Sequence, residues 1–528
     1  MHMHMHIKPT HSPNVSAKPR HQLTTLLSSQ IDTIQNKSQL ITTRPLERGY
    51  ITDLGTQFQI WDYILQMENL EARHSFSNGG VSGVMPSSST IQNKAKAKAT
   101  LSANKEGGDV IFTHTAAVFC LSQPFTPRCI LEKEDEVWFR DFGFGRVARR
   151  LGACCSAFKY LRDGKKIAHS TDETARVGME DDETGCCCVI DCGFSMTSIV
   201  PTVDANAIEK GIRRINIGGK LLTNLLKQTI SYRKFNMMDE FYIVNEAKEA
   251  LCFLSMNFDE EIKKTRDVRE GCRWFDREFV LPDFSETFHG TVRLPAMLQR
   301  LQALEEKENL LQNIDKGGIE METKDDVDDK GIVEDQKPEV AADDEDEDNG
   351  DSDDETEEQA RQRILKQREE ERRRQDLEEI DRQALPLSVE RFAIPEVLFR
   401  PSDIGMEQLG IAEAIVQSIE ACDPIYRAAL YQNIIVTGGS AKIPHFKERL
   451  EVELRSLAPM NCKIRVFLPK DPEGYAWEGA KELVSESKLM GGIYLDRADW
   501  EAMKESGAGG DIWKSTLNKG LQDGFTVI

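Results

Sequence analysis

Several things are missing from these 528 residues, and each absence excludes a class of function. No uninterrupted apolar run approaches the roughly 20 residues that a membrane-spanning helix requires. Met1–Ile7 alternates Met and His and lacks the apolar core of a signal peptide. His2, His4 and His6 in that stretch read as an artefactual or disordered leader rather than a metal site. Twelve cysteines occur without one C-x-x-C pair, the pattern of reduced thiols in an intracellular protein. Cys186, Cys187, Cys188 and Cys192 cluster, but neighbouring strand residues point to opposite faces and cannot converge on one tetrahedral metal. They read as structural cysteines, and no metal ligands are assigned. Positive charge is also short: 67 Lys and Arg against 89 Asp and Glu give a net charge of −22, which argues against broad nucleic-acid binding.

That imbalance is local. Residues 341–360 contain twelve Asp or Glu and no Lys or Arg, and so supply −12 of the −22. Like-charge repulsion and the lack of apolar surface keep such a tract from collapsing. It reads as a solvated spacer or, alternatively, as a surface that attracts basic partners. Residues 74–108, rich in Ser, Gly, Ala, Lys and Asn, form a second flexible insertion. The Lys94–Lys98 run within it reads as a solvated face.

The organised remainder alternates strand-like and helix-like segments, which predicts an α/β fold of two lobes with mixed sheets flanked by helices. Its divisions are a leader over 1–28, a partial first lobe over 29–161, and a second lobe over 185–298. A helix plus the acidic insertion follows over 299–385, then the rest of the core over 386–498 and a tail over 499–528. In the first lobe, 48–51 reads as a turn and strand, and Phe58, Trp61, Ile64 and Leu65 share one helical face. Val118–Leu121 is apolar, and a helical region continues to Leu161.

Two apolar runs end in turns of a kind that holds phosphate. Val189–Gly193 and Ile434–Gly439 each stop at glycine ahead of a segment with helical potential. Glycine admits the close approach of backbone N–H groups to an anion, and a helix N-terminus adds its dipole. A clamp of this kind needs a further Asp-x-Gly hairpin with a lysine beside it, and the first 150 residues hold none.

Arg391–Ile411, with its continuation through Ser418, Ile419, Cys422 and Asp423 to Gly439, resembles the actin family. Val189–Pro201 and Ile215–Leu222 are similar to actin's second phosphate loop and the glycine turn after it. Tyr475–Gly479 resembles the tryptophan motif late in the actin core, and Arg44–Trp61 the early strand and helix near the cleft. Ile215–Asn224, Ser231–Arg233 and Leu281–Ser285 point within the family to a nuclear class of actin-related proteins. The likeness covers roughly 350 residues and omits both insertions.

The resemblance implies an actin-like fold with ATP held in a central cleft. Carried over, Asp191 and Gly193 lie beneath the phosphates, and Gly219 is the glycine of the nearby turn. Lys248 and Glu249 contact ribose and base, and Gly438 and Gly439 lie on the adenosine side. The same resemblance weighs against catalysis. Position 194, an aspartate in actin, is Phe; position 198, a water-positioning histidine, is Ser. The segment expected as the glutamine-bearing helix, Arg146–Ala153, has no glutamine, and Glu473 stands near actin's base-contacting lysine. No catalytic residue is assigned. ATP as a structural ligand and a cleft kept for packing alone both stay open.

The unrelated leader ahead of Ser29 reads as an incomplete gene model or as a sheet edge that a partner covers. The implied role is a non-catalytic subunit of a SWR-type chromatin-remodelling complex, which exchanges histone H2A for H2A.Z. Its implied partners are a motor ATPase, a HIT-type zinc-finger subunit and histones, in the nucleus and also the cytoplasm. An ATP-binding or weakly ATP-hydrolysing enzyme of the wider superfamily is the alternative.

Overall fold

The computed structural model describes residues 13–19, 25–34, 36–37, 40–77, 117–168, 185–233, 236–268, 273–284, 287–295, 298–299, 383–486 and 493–505. Most of the expected 74–108 insertion, residues 300–382 of the expected helix and acidic insertion, and the end of the tail lie outside these residues. The chain divides into two compact units. The larger comprises residues 1–264, 283–288 and 389–528, and the smaller 265–282 and 289–388.

The larger unit opens with β1 (Ser16–Pro19), β2 (Leu26–Leu27) and β3 (Leu40–Thr43), an antiparallel sheet ordered β2-β1-β3. Strand β1 falls inside the stretch expected as an unstructured leader. Val15 and Ala17 are buried there with Ile31 and Leu40, so two small apolar residues in a polar context suffice once neighbouring strands cover them. The expected turn and strand over 48–51 are the corner and second strand of a hairpin, β4 (Leu46–Glu47) and β5 (Tyr50–Ile51). Arg48 and Gly49 both take positive φ at its corner, the twist a two-residue hairpin loop needs. Helix α1 (Leu54–Ser77) follows and turns its aromatic face inward. Phe58 stacks on Phe142 at 4.9 Å, and Trp61 lies 4.6 Å from Trp138.

Next come β6 (Ala117–Ser122), α2 (Arg128–Glu136), β7 (Arg146–Leu151) and α3 (Gly152–Ala168). The expectation of a helix over 146–153 is corrected here. Residues 146–151 are a strand, parallel to β6 over six residue pairs, and the helix begins at Gly152. The arginines conceal the strand in the sequence. Arg149 donates to Asp135 from Nη2 at 2.6 Å and from Nε at 3.0 Å, and also pairs with Glu134. Arg150 donates to the Ala205 carbonyl at 3.0 Å and to Asn206 Oδ1 at 3.2 Å. With these partners two cations are buried beside Val147 and Ala148, although Arg150 Nε has no hydrogen-bond partner.

The middle of the larger unit holds β8 (Cys186–Cys192), β9 (Thr197–Val203), β10 (Asn206–Ala207), β11 (Arg213–Ile215), α4 (Gly219–Arg233), α5 (Phe241–Leu251) and α6 (Phe258–Asp267). The smaller unit is a three-stranded antiparallel sheet of β12 (Arg277–Val280), β13 (Thr291–Arg293) and β14 (Ala384–Leu387), ordered β13-β12-β14. Regular structure therefore returns at residue 384, inside the expected 299–385 insertion. The chain continues through α7 (Glu390–Glu396), α8 (Ile411–Glu420), α9 (Pro424–Gln432), β15 (Ile434–Thr437), α10 (Phe446–Leu457), β16 (Val466–Phe467), α11 (Tyr475–Ser485), β17 (Leu495–Asp496) and α12 (Arg497–Glu505). Strand β17 joins β7, giving a sheet ordered β17-β7-β6.

The central sheet runs β10-β9-β8-β15-β16, with β11 also on β9. Strand β8 pairs antiparallel with β9 and parallel with β15, which covers both its edges, and all its side chains except half-buried Asp191 are buried. The cysteines divide as strand geometry requires. Cys187 packs with Val189 against Ala153, Cys154, Ala157 and Tyr160, whereas Cys186 and Cys188 lie on the side of Cys422. Burial pushes the Cys188 and Cys192 thiols well above their ordinary range. The mixed sheets with flanking helices bear out the α/β expectation.

Removing the charge of Arg149 leaves Asp135 buried without its partner. The expected result for Arg149→Met is a loss of about 3–5 kcal/mol in urea unfolding, partly recovered by adding Asp135→Asn. An unchanged midpoint would refute a strand held by this pair.

Candidate functional site

The two glycine turns meet at the ends of β8 and β15, which run in parallel register with Asp191 beside Thr437. The first turn is latched onto helix α4. Gly193 N–H donates to the Met196 carbonyl at 3.0 Å. The Gly193 carbonyl accepts from Gly219 N–H at 3.2 Å and from Ser440 Oγ at 3.3 Å, and the Phe194 carbonyl accepts from Lys220 N–H at 2.7 Å. Leu221 and Leu222 donate to the Gly218 carbonyl. A Cβ at Gly218 would stand 2.6 Å from the Phe194 oxygen, so glycine is what allows the latch to close. The second turn follows the same logic. Gly438, at φ +90°, leaves room for only 2.4 Å between a Cβ and the Cys192 oxygen, and its N–H donates to Pro472 at 2.8 Å.

The latch uses backbone groups next to the expected phosphate turn. The N–H groups of the first turn of α4, which an anion would take, already have carbonyl partners. After Gly438 the chain enters a single 3-10 turn over Gly439–Lys442, and the next α-helix begins only at Phe446.

Side chains then divide the expected site residues between two cavities, with Phe194 lining both. The first, of about 450 Å³, brings together Gly219, Lys248, Glu249 and Gly439 with Ser440, Lys442 and Glu473. Its apolar lining comes from Leu222, Cys252 and Ile443. The second, of about 490 Å³, holds Asp191 and Gly193, with Asn14, Gln123, Trp61 and Trp138 among its walls. Gly438 is a packing position rather than part of either wall. Phe194 is fixed in place by Arg44, whose guanidinium lies 4.3 Å from its ring centre and 4.7 Å from that of Phe241. Burial lowers the pKa of Arg44, and the two ring faces compensate part of the lost hydration.

Lys248 is buried, and its ammonium is engaged with Asn245 Oδ1 at 2.9 Å, Thr223 Oγ1 at 3.0 Å and the Gly219 carbonyl at 3.5 Å. Burial lowers its pKa. Exposed Glu249 accepts from Asn245 Nδ2 at 2.7 Å, and Lys442 pairs with Glu473 at 3.0 Å. Asp191 is approached by Gln123 Nε2 at 3.5 Å and lies across from Ser198 on β9. Burial pushes the Asp191 carboxyl up. Ser198 itself is buried in the sheet. Arg44, Phe241, Gln123, Ser440 and Lys442 were missing from the expected site. Ser440 and Lys442 carry a signal, since they directly follow the glycine pair; the others come from distant segments.

The residues present fit a nucleotide unequally. The first cavity has the apolar lining and hydrogen-bonding rim that a sugar and base need, and its two lysines are balanced by two glutamates. Among the described residues no Lys or Arg lines the second cavity, whereas Asp191 and Glu134 do. A phosphate chain does not fit that environment, and no hydrolytic step is derived through one.

Two measurements test this geometry. A double-mutant cycle on Arg44→Ala and Phe194→Ala is expected to give a stability coupling of about 0.5–2 kcal/mol, and additive effects would refute the sandwich. Lys248 has a folded pKa below its unfolded value, so the folded state binds fewer protons in the window between the two. Stability relative to Lys248→Met is therefore expected to rise as pH approaches about 10.4, the unfolded value. A difference that stays flat in urea unfolding between pH 8 and 10 would refute a charged, desolvated Lys248.

Comparison with known proteins agrees with the architecture. The family model described as Actin matches residues 7–506. The chain is 28% identical to Actin-related protein 6 of Arabidopsis thaliana over 93% of its own length and 91% of the relative. It is 28% identical to Actin-related protein 6 of Drosophila melanogaster, covering 89% and 85%, and 29% identical to that of Dictyostelium discoideum, covering 87% and 81%. The match over nearly the whole length, on mixed sheets carrying two glycine turns at one end, places this chain in the actin family, with its likeness to the actin-related protein 6 members.

Proposed function

We propose that this actin-family chain is a non-catalytic, architectural subunit of a SWR-type remodelling complex that exchanges histone H2A for H2A.Z. In this reading it contributes to transcription regulation and chromosome stability, acting in the nucleus and also present in the cytoplasm. Its similarity to actin-related protein 6 supports the class of assembly. The observation that carries the non-catalytic part is Phe194, which lines both cavities where hydrolysis would need one continuous site.

ATP hydrolysis requires a positioned water, a metal held near the phosphates and neutralisation of developing charge. Asp191 is the carboxylate available for a hydrated cation, yet burial favours its neutral form. Ser198 stands where a water-positioning histidine would act, and it lies within a sheet strand. The chain then serves as a scaffold that holds a motor ATPase and a HIT-type zinc-finger subunit. The negative charge of residues 341–360 is what would attract basic histone tails.

Affinity purification from nuclear extract is expected to recover the motor ATPase, the zinc-finger subunit and H2A.Z. Purified chain is expected to turn over ATP at background rate, with Asp191→Asn unchanged. Turnover abolished by Asp191→Asn, or purification without these partners, would overturn the proposal.

A further inference from the structure

We infer that the open edge of β6, with the cavity that runs along it, takes an extended strand of a partner protein. That strand is uncharged except for a Lys or Arg where it passes Asp191. The inference goes beyond the scaffold reading and does not depend on it.

The lining of the second cavity shows where the edge lies. Successive residues of a strand point to opposite faces, so a space over one face touches alternate residues. Val118, Phe119, Cys120, Leu121 and Ser122 all line this cavity. A space that meets five successive strand residues runs along the edge of the strand. Strand β7 takes the other edge, paired over six residues, and none of its residues lines the cavity. Among the described residues the sheet ends at β6. Burial agrees, since β7 buries four consecutive residues and β6 buries none.

Such an edge presents a row of N–H and C=O groups ready to pair with another chain. Soluble proteins guard these edges with charge, proline, a bulge or very short length. Ala117–Ser122 spans six residues and contains no charged residue and no proline. Beside it, Trp61, Leu131 and Trp138 pack with Val118 and Cys120 and give apolar surface to alternate side chains of an added strand. Strand addition uses both features: main-chain bonds supply affinity, and surface for alternate side chains supplies specificity.

Charge selects the occupant. Among the described residues no Lys or Arg lines the cavity, whereas two carboxylates do. Glu134 is already paired with Arg149. Asp191 has Gln123 Nε2 at 3.5 Å, and burial pushes its carboxyl up. A cation on the incoming strand favours the ionised carboxylate and fills that vacancy of charge. A second copy of this chain is a poorer complement. Its β6 is uncharged, and it brings another Asp191 and Glu134 towards the first pair.

Fluorescence anisotropy of the full chain with labelled peptides tests the inference. The probes are eight-residue peptides of alternating Val and Thr, with one Lys at each position in turn. One of the series is expected to bind saturably, and at least about tenfold more tightly than the same peptide with Met for Lys. Methylating alternate amides of that peptide is expected to weaken binding at least about tenfold in one frame and less than about twofold in the other, because only one edge of an added strand bonds to β6. Asp191→Asn is expected to abolish the preference for Lys and to leave the affinity for the Met peptide unchanged, which also shows that the variant is folded. No saturable binding, equal weakening in both frames, or a Lys preference that survives Asp191→Asn would overturn the inference. Sedimentation velocity tests the second copy: a dimer of the free chain that the peptide dissociates would assign the edge to self-association and overturn it too.

Discussion

The turn between β8 and β9 is fastened to helix α4 by two backbone hydrogen bonds, Gly219 N–H to the Gly193 carbonyl and Lys220 N–H to the Phe194 carbonyl. The arrangement of the cleft depends on that contact. It fixes where Phe194 stands and so lets Arg44 and Phe241 close around the ring. It also satisfies the positive end of a helix that would otherwise attract an anion. One geometry thus stabilises the fold and occupies the amides at the start of α4.

The same economy governs the charged residues. Lys248, Arg149 and Arg150 are all buried, and each has several oxygen partners. In a low-dielectric interior a cation persists only when such partners are in place. Residue types that suggest ligand binding therefore serve largely as internal connectors here. The first cavity sets buried Lys248 and exposed Lys442 against Glu249 and Glu473.

Much of the fold was legible because its signals are local. The hairpin at 48–51, the helix beginning near Phe58 and the strand–turn–strand around Asp191 each follow from a few adjacent residues. Strand β7 was not legible. Its Arg–Arg pair reads as polar until α2 and the segment after β9 supply the partners that make burial possible. Strand β1 was hidden for the complementary reason, since Ala17 and Val15 carry little apolar weight until β2 and β3 cover them.

The sequence by itself determined the family, because the glycine turns and the Arg391–Ile411 segment have family-specific spacing that survives without any structure. The resemblance to actin also implied that Phe194 and Ser198 stand where actin carries residues that hydrolysis uses. Only the tertiary structure decided how the expected site residues are grouped. Gly219, Lys248, Glu249 and Gly439 share one cavity, Asp191 and Gly193 another, and Gly438 is given to packing. The reason is physical: residue identity fixes which groups can donate, accept or carry charge. Their partners lie up to hundreds of residues away, and only folding brings a ring from position 194 between two cavities and a guanidinium from position 44 onto it.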